Sequence, residues 1–192
     1  MQSEEPMNKQ LRVGQIAPET TIYDADGQPV NISGLWADGP ILLTFLRHFG
    51  WIFCREWLAQ LEQAHGQIEA AGLRLQAIGL GEPKHARHFC GKLAPHITCH
   101  VDQDKKAYAT YGLRQAGLTE MMNPAMYLAS ARAIASGQVQ GEATGDTWML
   151  PGTFIIDGEG IVQYAYYSRH AGDHPDISEM LKAWTLKDDE EE

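Results

Sequence analysis

Apolar residues fall along the chain in two rhythms, short unbroken runs and stripes that recur every three or four positions. Their succession predicts the elements. Ile41-Leu42-Leu43-Thr44-Phe45-Leu46, after Gly39-Pro40, is a nearly continuous apolar run, as expected of a central strand buried on both faces. From Phe53 the period becomes helical, with Trp57, Leu58, Leu61, His65, Ile68 and Ala71 on one side and Gly72 at the end. Leu73-Leu75-Ala77-Ile78-Leu80 returns as a strand, so strand, helix and strand form one βαβ unit with parallel pairing. A second helix follows from Pro83 to about Leu93, then a short strand over Ile97 to Val101 and a helix around Lys105 to Tyr111. Two hairpins flank this centre. One runs through Thr20-Ile22-Tyr23, the turn Asp26-Gly27 and Pro29-Val30-Asn31; the other pairs Thr153-Phe154-Ile155-Ile156 with Ile161 to Tyr166 across Asp157-Gly158-Glu159-Gly160. Asp176-Ile177-Ser178-Glu179 has the spacing of a capping box that opens a final helix through Leu181 and Trp184.

This order predicts an α/β sandwich with a mixed sheet, in a single domain over residues 11–185. Residues 1–10 are expected as a loose polar arm, 113–150 as an irregular insertion with a Gly-rich passage, and 186–192 as a solvated acidic tail. That tail contributes much of the net charge of −10, which favours neither nucleic acid nor an anionic membrane as a partner. No apolar run approaches the ~18 residues of a membrane span, and Met1-Gln2-Ser3-Glu4-Glu5-Pro6 lacks a basic-then-apolar pattern. With three cysteines, an odd number, the expectation is a soluble protein of the reducing cytoplasm without structural disulfides.

One of those cysteines changes the picture. Cys54 falls on the first turn of the helix that follows the central strand, where unpaired backbone N–H groups and the helix dipole favour a thiolate. Arg47, His48 and Arg55 can add positive charge, with Arg47 best placed at the strand end. The alternative is that Cys54 is a small apolar residue at a helix start, a common place for free cysteine.

The motifs narrow the choice further. Gly14-Gln15-Ile16-Ala17-Pro18, Phe45-Leu46-Arg47-His48-Phe49-Gly50, Cys54-Arg55-Glu56, Gly152-Thr153-Phe154-Ile155-Ile156-Asp157 and Ala171-Gly172-Asp173-His174-Pro175-Asp176 resemble the peroxiredoxin-like branch of the alkyl hydroperoxide reductase and thiol-specific antioxidant superfamily. The resemblance runs from about Val13 to Trp184 and implies a thioredoxin-like fold, an α/β/α sandwich. It also implies that Cys54 attacks the O–O bond of a hydroperoxide, that Arg47 stabilises its thiolate, and that His48, Trp51, Arg55 and Pro151 line the substrate site. Pro151 matches the loop proline that faces the cysteine in this fold, often after a cis bond.

Two departures bear on mechanism. Where the branch usually reads Cys-Pro-x-Cys, this chain has Trp51 and Ile52 before Cys54, so a local dithiol–disulfide cycle is excluded and the peroxidatic cysteine remains. Peroxiredoxins also precede that cysteine with Pro-x-x-x-Thr-x-x, and here Arg47 and Trp51 take the proline and threonine positions. An indole donates one N–H but accepts nothing.

By resemblance to thiol peroxidases, Cys90 on the next helix is a candidate resolving cysteine; it reads equally well as a buried helix residue, and Cys99 as core. The reaction implied is thiol-dependent reduction of a small-molecule hydroperoxide, with an external thiol donor such as a thioredoxin or glutathione-type reductant, no cofactor, and homodimer formation compatible with the fold. Two other readings stand beside it: a redox-sensing or binding module, and a reductase of lipid endoperoxides or other apolar substrates. His85, His88 and Cys90 match no usual zinc spacing, so no metal is expected. Met121 to Leu128 reads as core packing or as an apolar cover.

Overall fold

The computed structural model describes residues 9–117 and 145–191 and, between them, 131, 132, 134, 135, 137 and 141. The strands are β1 (Thr21–Tyr23), β2 (Pro29–Asn31), β3 (Ile41–Phe45), β4 (Arg74–Leu80), β5 (Thr98–Asp102), β6 (Gly152–Ile156) and β7 (Val162–Tyr167). The helices are α1 (Ile52–Gln63), α2 (His65–Ala70), α3 (Pro83–Leu93), α4 (Lys106–Thr110) and α5 (Ile177–Glu191). Among the described residues the strands form one mixed sheet in the order β2-β1-β5-β4-β3-β6-β7. β3 pairs parallel with β4 and antiparallel with β6, as the βαβ unit and the late hairpin require.

All five residues of β3 are buried, and alternation divides them between two cores. Leu42 and Leu46 face a layer with Trp57, Leu58, Leu61, Cys90, Met180 and Trp184, so α1, α3 and α5 share that side. Ile41, Leu43 and Phe45 face Trp36, Tyr108, Tyr111, Phe154 and Val162 on the other. The Trp184 indole N–H donates to the Ala71 carbonyl at 2.8 Å, which docks α5 against the end of α2.

Several expectations shift in detail. The single helix expected from Phe53 to Gly72 is two, divided at Ala64, whose ψ of 1° leaves the helical range. Asp176 caps α5 by accepting the Glu179 N–H at 2.9 Å, and α5 then continues to Glu191, through most of the acidic run. Lys9 and Gln10, at the end of the expected arm, rest on Gly112; a Cβ there would meet the Lys9 carbonyl at 2.6 Å, so only glycine allows the contact. Met121 to Leu128 lies outside the described residues.

Candidate active site

Beyond β3 the chain extends one more ladder bond, Leu46 N–H to the Ile78 carbonyl at 2.8 Å. Tyr108, fully buried on α4, donates its hydroxyl toward the carbonyls of both Leu46 and Ile78 and ties the strand ends together. The chain then turns, with Trp51 N–H on the His48 carbonyl at 3.2 Å, and Arg55 N–H on the Trp51 carbonyl at 3.0 Å closes the first turn of α1. Phe49 fills the space over Gly79, where a Cβ would lie 2.4 Å from its ring. The Gly50 carbonyl accepts the Gly141 N–H at 2.8 Å, which places Gly141 against the turn.

Trp51 is the N-cap of α1, which puts Cys54 at its third residue, on the first turn as the sequence implied. Of the three cysteines it alone is free. Its Sγ accepts the Arg47 N–H at 3.2 Å and a second backbone bond from His48. The Arg47 guanidinium is buried and lies 4.5 Å from the centroid of the Trp51 ring, a cation–π contact of about 0.5–2 kcal/mol. Burial lowers the Arg47 pKa, while Cys54 and Asp146 support its charge. Asp146, in the part of the chain where sequence offered no pattern, is itself held by Lys105, Gln115 and the Trp148 N–H.

The electrostatic outcome differs from the expected thiolate. Cys54 has no exposed surface, and this burial pushes its pKa up to about 11 against the opposing backbone bonds and Arg47. Desolvation outweighs the helix terminus because a thiolate sealed from water loses more hydration than two N–H bonds and one cation return. In this closed arrangement Cys54 is a thiol at neutral pH. His48 is not a cation there either: burial, followed by repulsion from Arg47, lowers its pKa to about 4.

The remaining candidates divide. Trp51 packs against Phe53 and against the His48 ring edge at 5.7 Å, and its indole N–H has no acceptor among the described residues. Arg55 turns toward α3, its guanidinium 6.0 Å from the Phe89 ring. Pro151 directly precedes Gly152, which is registered opposite Phe45, so it stands at the β3 end from which the cysteine turn departs. The peptide bond before it is trans, in place of the cis bond the resemblance suggested.

Cys90 corrects two expectations. It is bonded to Cys99, with the two Cα atoms 6.3 Å apart, so a structural disulfide is present and Cys90 is not the partner of Cys54 in this state. The parallel β4–β5 connection brings the end of α3 back over β5, which no linear spacing reveals. His85 Nδ1 accepts the Glu82 N–H at 3.0 Å as part of the α3 cap.

The sequence reading missed a polar layer beneath the cysteine turn. Trp57 donates its indole N–H to the Thr44 hydroxyl at 2.9 Å, and His174 stacks on the Trp57 ring at 4.8 Å between centroids. Glu56, buried two residues after Cys54, takes two bonds from Arg132. A carboxylate on the apolar stripe of α1 was the available signal.

A mixed sheet with parallel β3–β4, antiparallel β6–β7 and a lone free cysteine on the first turn of α1 defines a thioredoxin-fold protein of peroxiredoxin-like type. The chain belongs to the AhpC/TSA antioxidant enzyme family, whose model matches residues 60–170, beginning six residues after Cys54. It is 28% identical over 173 residues to a prostamide/prostaglandin F synthase of Salmo salar, covering 84% of this chain and 82% of that one. Peroxiredoxin-like 2C of Bos taurus is 22% identical over 175 residues, 85% and 76% of the two chains. Peroxiredoxin 5 of Alvinella pompejana shares the fold at a TM-score of 0.66 and 12% identity, over 92% of this chain and 99% of that one.

Proposed function

We propose that the protein is a thiol-dependent peroxidase whose only nucleophile is Cys54. The observation that carries this is the cradle at its Sγ, backbone N–H bonds from Arg47 and His48 with a buried guanidinium beside them. An inert core cysteine needs neither donor nor cation. The Trp51 indole N–H, without an acceptor among the described residues, is the donor offered to a peroxide oxygen in place of the family's threonine hydroxyl.

The Cys54 thiol gives its proton to water, the thiolate attacks the distal oxygen of ROOH, the O–O bond breaks, the leaving RO⁻ takes up a proton from water to give ROH, and Cys54 becomes a sulfenic acid. An external thiol R′SH then displaces water to give a mixed disulfide, and a second R′SH releases the Cys54 thiol and R′SSR′. Because the thiol is sealed and its pKa is near 11, the turn from Arg47 to Trp51 must open to admit substrate, which also returns the thiol toward its ordinary range. A hydroperoxide, an external thiol and a second copy of the chain are the partners proposed. A cytoplasmic setting is proposed with them, where the glutathione pool would act on the Cys90–Cys99 bond.

One observation favours a second reading, reduction of a bulky apolar peroxide. Phe53 and Ala171, with the partly buried Trp51 and Ile52, form an apolar cluster at the start of α1. Similarity to prostamide/prostaglandin F synthases lends this support.

The test is single-turnover oxidation by hydrogen peroxide and by a bulky organic hydroperoxide, read by mass spectrometry in wild type and Cys54→Ser. A Cys54 sulfenic acid forming at least tenfold faster than on a free thiol supports the peroxidase, and preference for the bulky peroxide supports the second reading. Oxidation at the free-thiol rate would reject both and leave a binding or sensing module.

A further inference from the structure

We propose that Glu62, His65 and His96 form a binding site for a first-row divalent cation, with Zn²⁺ as the ion that fits the donors. The three come from the last turn of α1, the start of α2 and the segment between α3 and β5. One ligand atom from each lies within 4.8 Å of the other two. The site is separate from the cysteine: Glu62 is eight residues beyond Cys54 on α1, about 12 Å along the axis at ~1.5 Å per residue.

The hydrogen bonds already prepare these atoms as ligands. His65 Nδ1 lies 2.7 Å from the Glu62 carbonyl. A carbonyl only accepts, so Nδ1 carries the proton and Nε2 presents a bare lone pair. A backbone carbonyl holding one ring nitrogen so that the other can ligate is the arrangement metal-bound histidines use. Glu62 is oriented in turn, one carboxylate oxygen accepting the His96 backbone N–H at 3.1 Å while the other accepts from His96 Nδ1. That second bond holds a proton between an imidazole and a carboxylate, and a cation that displaces it gains both groups as ligands.

The donor set matches the ion. Two imidazoles and one carboxylate are a recognised three-ligand zinc set, with the fourth position left to water. The His65 and His96 rings are stacked, 3.9 Å apart and within 3° of parallel, so their in-plane lone pairs converge on one ion only after a ring turns. His96, half-exposed, has room to do so. Its segment is also anchored at both ends, since the Cys90–Cys99 disulfide closes the loop that carries it. No local spacing marks this set in the sequence, because the three converge only when α3 packs beside α1.

The experiment is calorimetric titration of untagged protein with ZnCl₂, in two buffers of different ionisation enthalpy, together with Co²⁺ absorption spectra. The expected result is one ion per chain at micromolar affinity, with a Co²⁺ spectrum lacking a thiolate charge-transfer band. Glu62→Gln, His65→Gln and His96→Gln should each weaken binding at least tenfold, while Cys54→Ser leaves it unchanged. Three partly exposed positions guard against the loss of any single variant to misfolding. Wild-type binding no tighter than that of the folded variants, or binding lost in Cys54→Ser, would overturn the proposal.

Discussion

Arg132 holds the carboxylate of Glu56 with two bonds, Nε at 2.8 Å and Nη2 at 3.1 Å, and donates a third to the Gly172 carbonyl at 3.3 Å. One side chain thus joins the helix of Cys54 to the turn that leads into α5. Glu56 is almost fully buried whereas Arg132 is half-exposed, so most of the desolvation falls on the carboxylate. Arg132→Ala should therefore lower stability by about 2 kcal/mol, since it leaves a buried carboxylate without its cation. Glu56→Gln, which removes the charge and keeps the shape, should cost less; urea midpoints of the two variants check the order.

Two buried histidines, His48 and His100, and the partly buried His174 make the fold sensitive to acid. The pKa values of His48 and His100 are lowered to about 4 and that of His174 to about 3, in each case first by burial. A depressed pKa means that the unfolded chain takes up protons the folded chain refuses. Stability should be complete above about pH 6.5 and fall as pH drops toward 4, with up to three protons bound on unfolding. Urea unfolding at pH 7 and pH 5 measures the slope. His100→Gln, which removes one titrating ring, should flatten it by one proton.

At the alkaline end the sign reverses. The folded chain holds the Cys54 proton more tightly than the unfolded chain, so that stability is complete below pH 9 and is lost as pH rises toward 11. Two pH units correspond to about 3 kcal/mol, and Cys54→Ser should abolish this loss. The difference between wild type and Cys54→Ser in thermal unfolding between pH 8 and 11 isolates it from the tyrosines whose pKa values burial also raises.

The Cys90–Cys99 bond closes a loop of nine-residue separation and should stabilise the fold by about 2–3 kcal/mol through the unfolded state. Replacing both cysteines by serine, or adding reductant, should lower the unfolding free energy by that amount, read as a lower denaturant midpoint. Reductant should have no effect on the double variant.

Gly79→Ala tests the cysteine turn from the opposite side. Its new Cβ would lie 2.4 Å from the Phe49 ring, which is buried and can shift only by disturbing its packing, so a loss of about 1–3 kcal/mol is expected. Because Phe49 belongs to the turn that covers Cys54, its displacement should speed alkylation of that thiol. Iodoacetamide labelling followed by mass spectrometry measures the rate.

Periodicity alone determined the order of elements, because each strand and helix writes its own spacing into neighbouring residues: β3 as an unbroken apolar run, α1 as a 3.6-residue stripe, the late hairpin around Asp157-Gly158. The position of Cys54 on the first turn of a helix followed from the same local information. What tertiary structure decided were matters of convergence and burial. Cys90 met Cys99 because β5 lies beside β4, Asp146 came within electrostatic range of Arg47 from a segment without periodicity, and Arg132 reached Glu56 across 76 residues. The ionisation of Cys54 was decided there too, since a sequence names the donors around a thiol but only the packed structure sets how much water they replace.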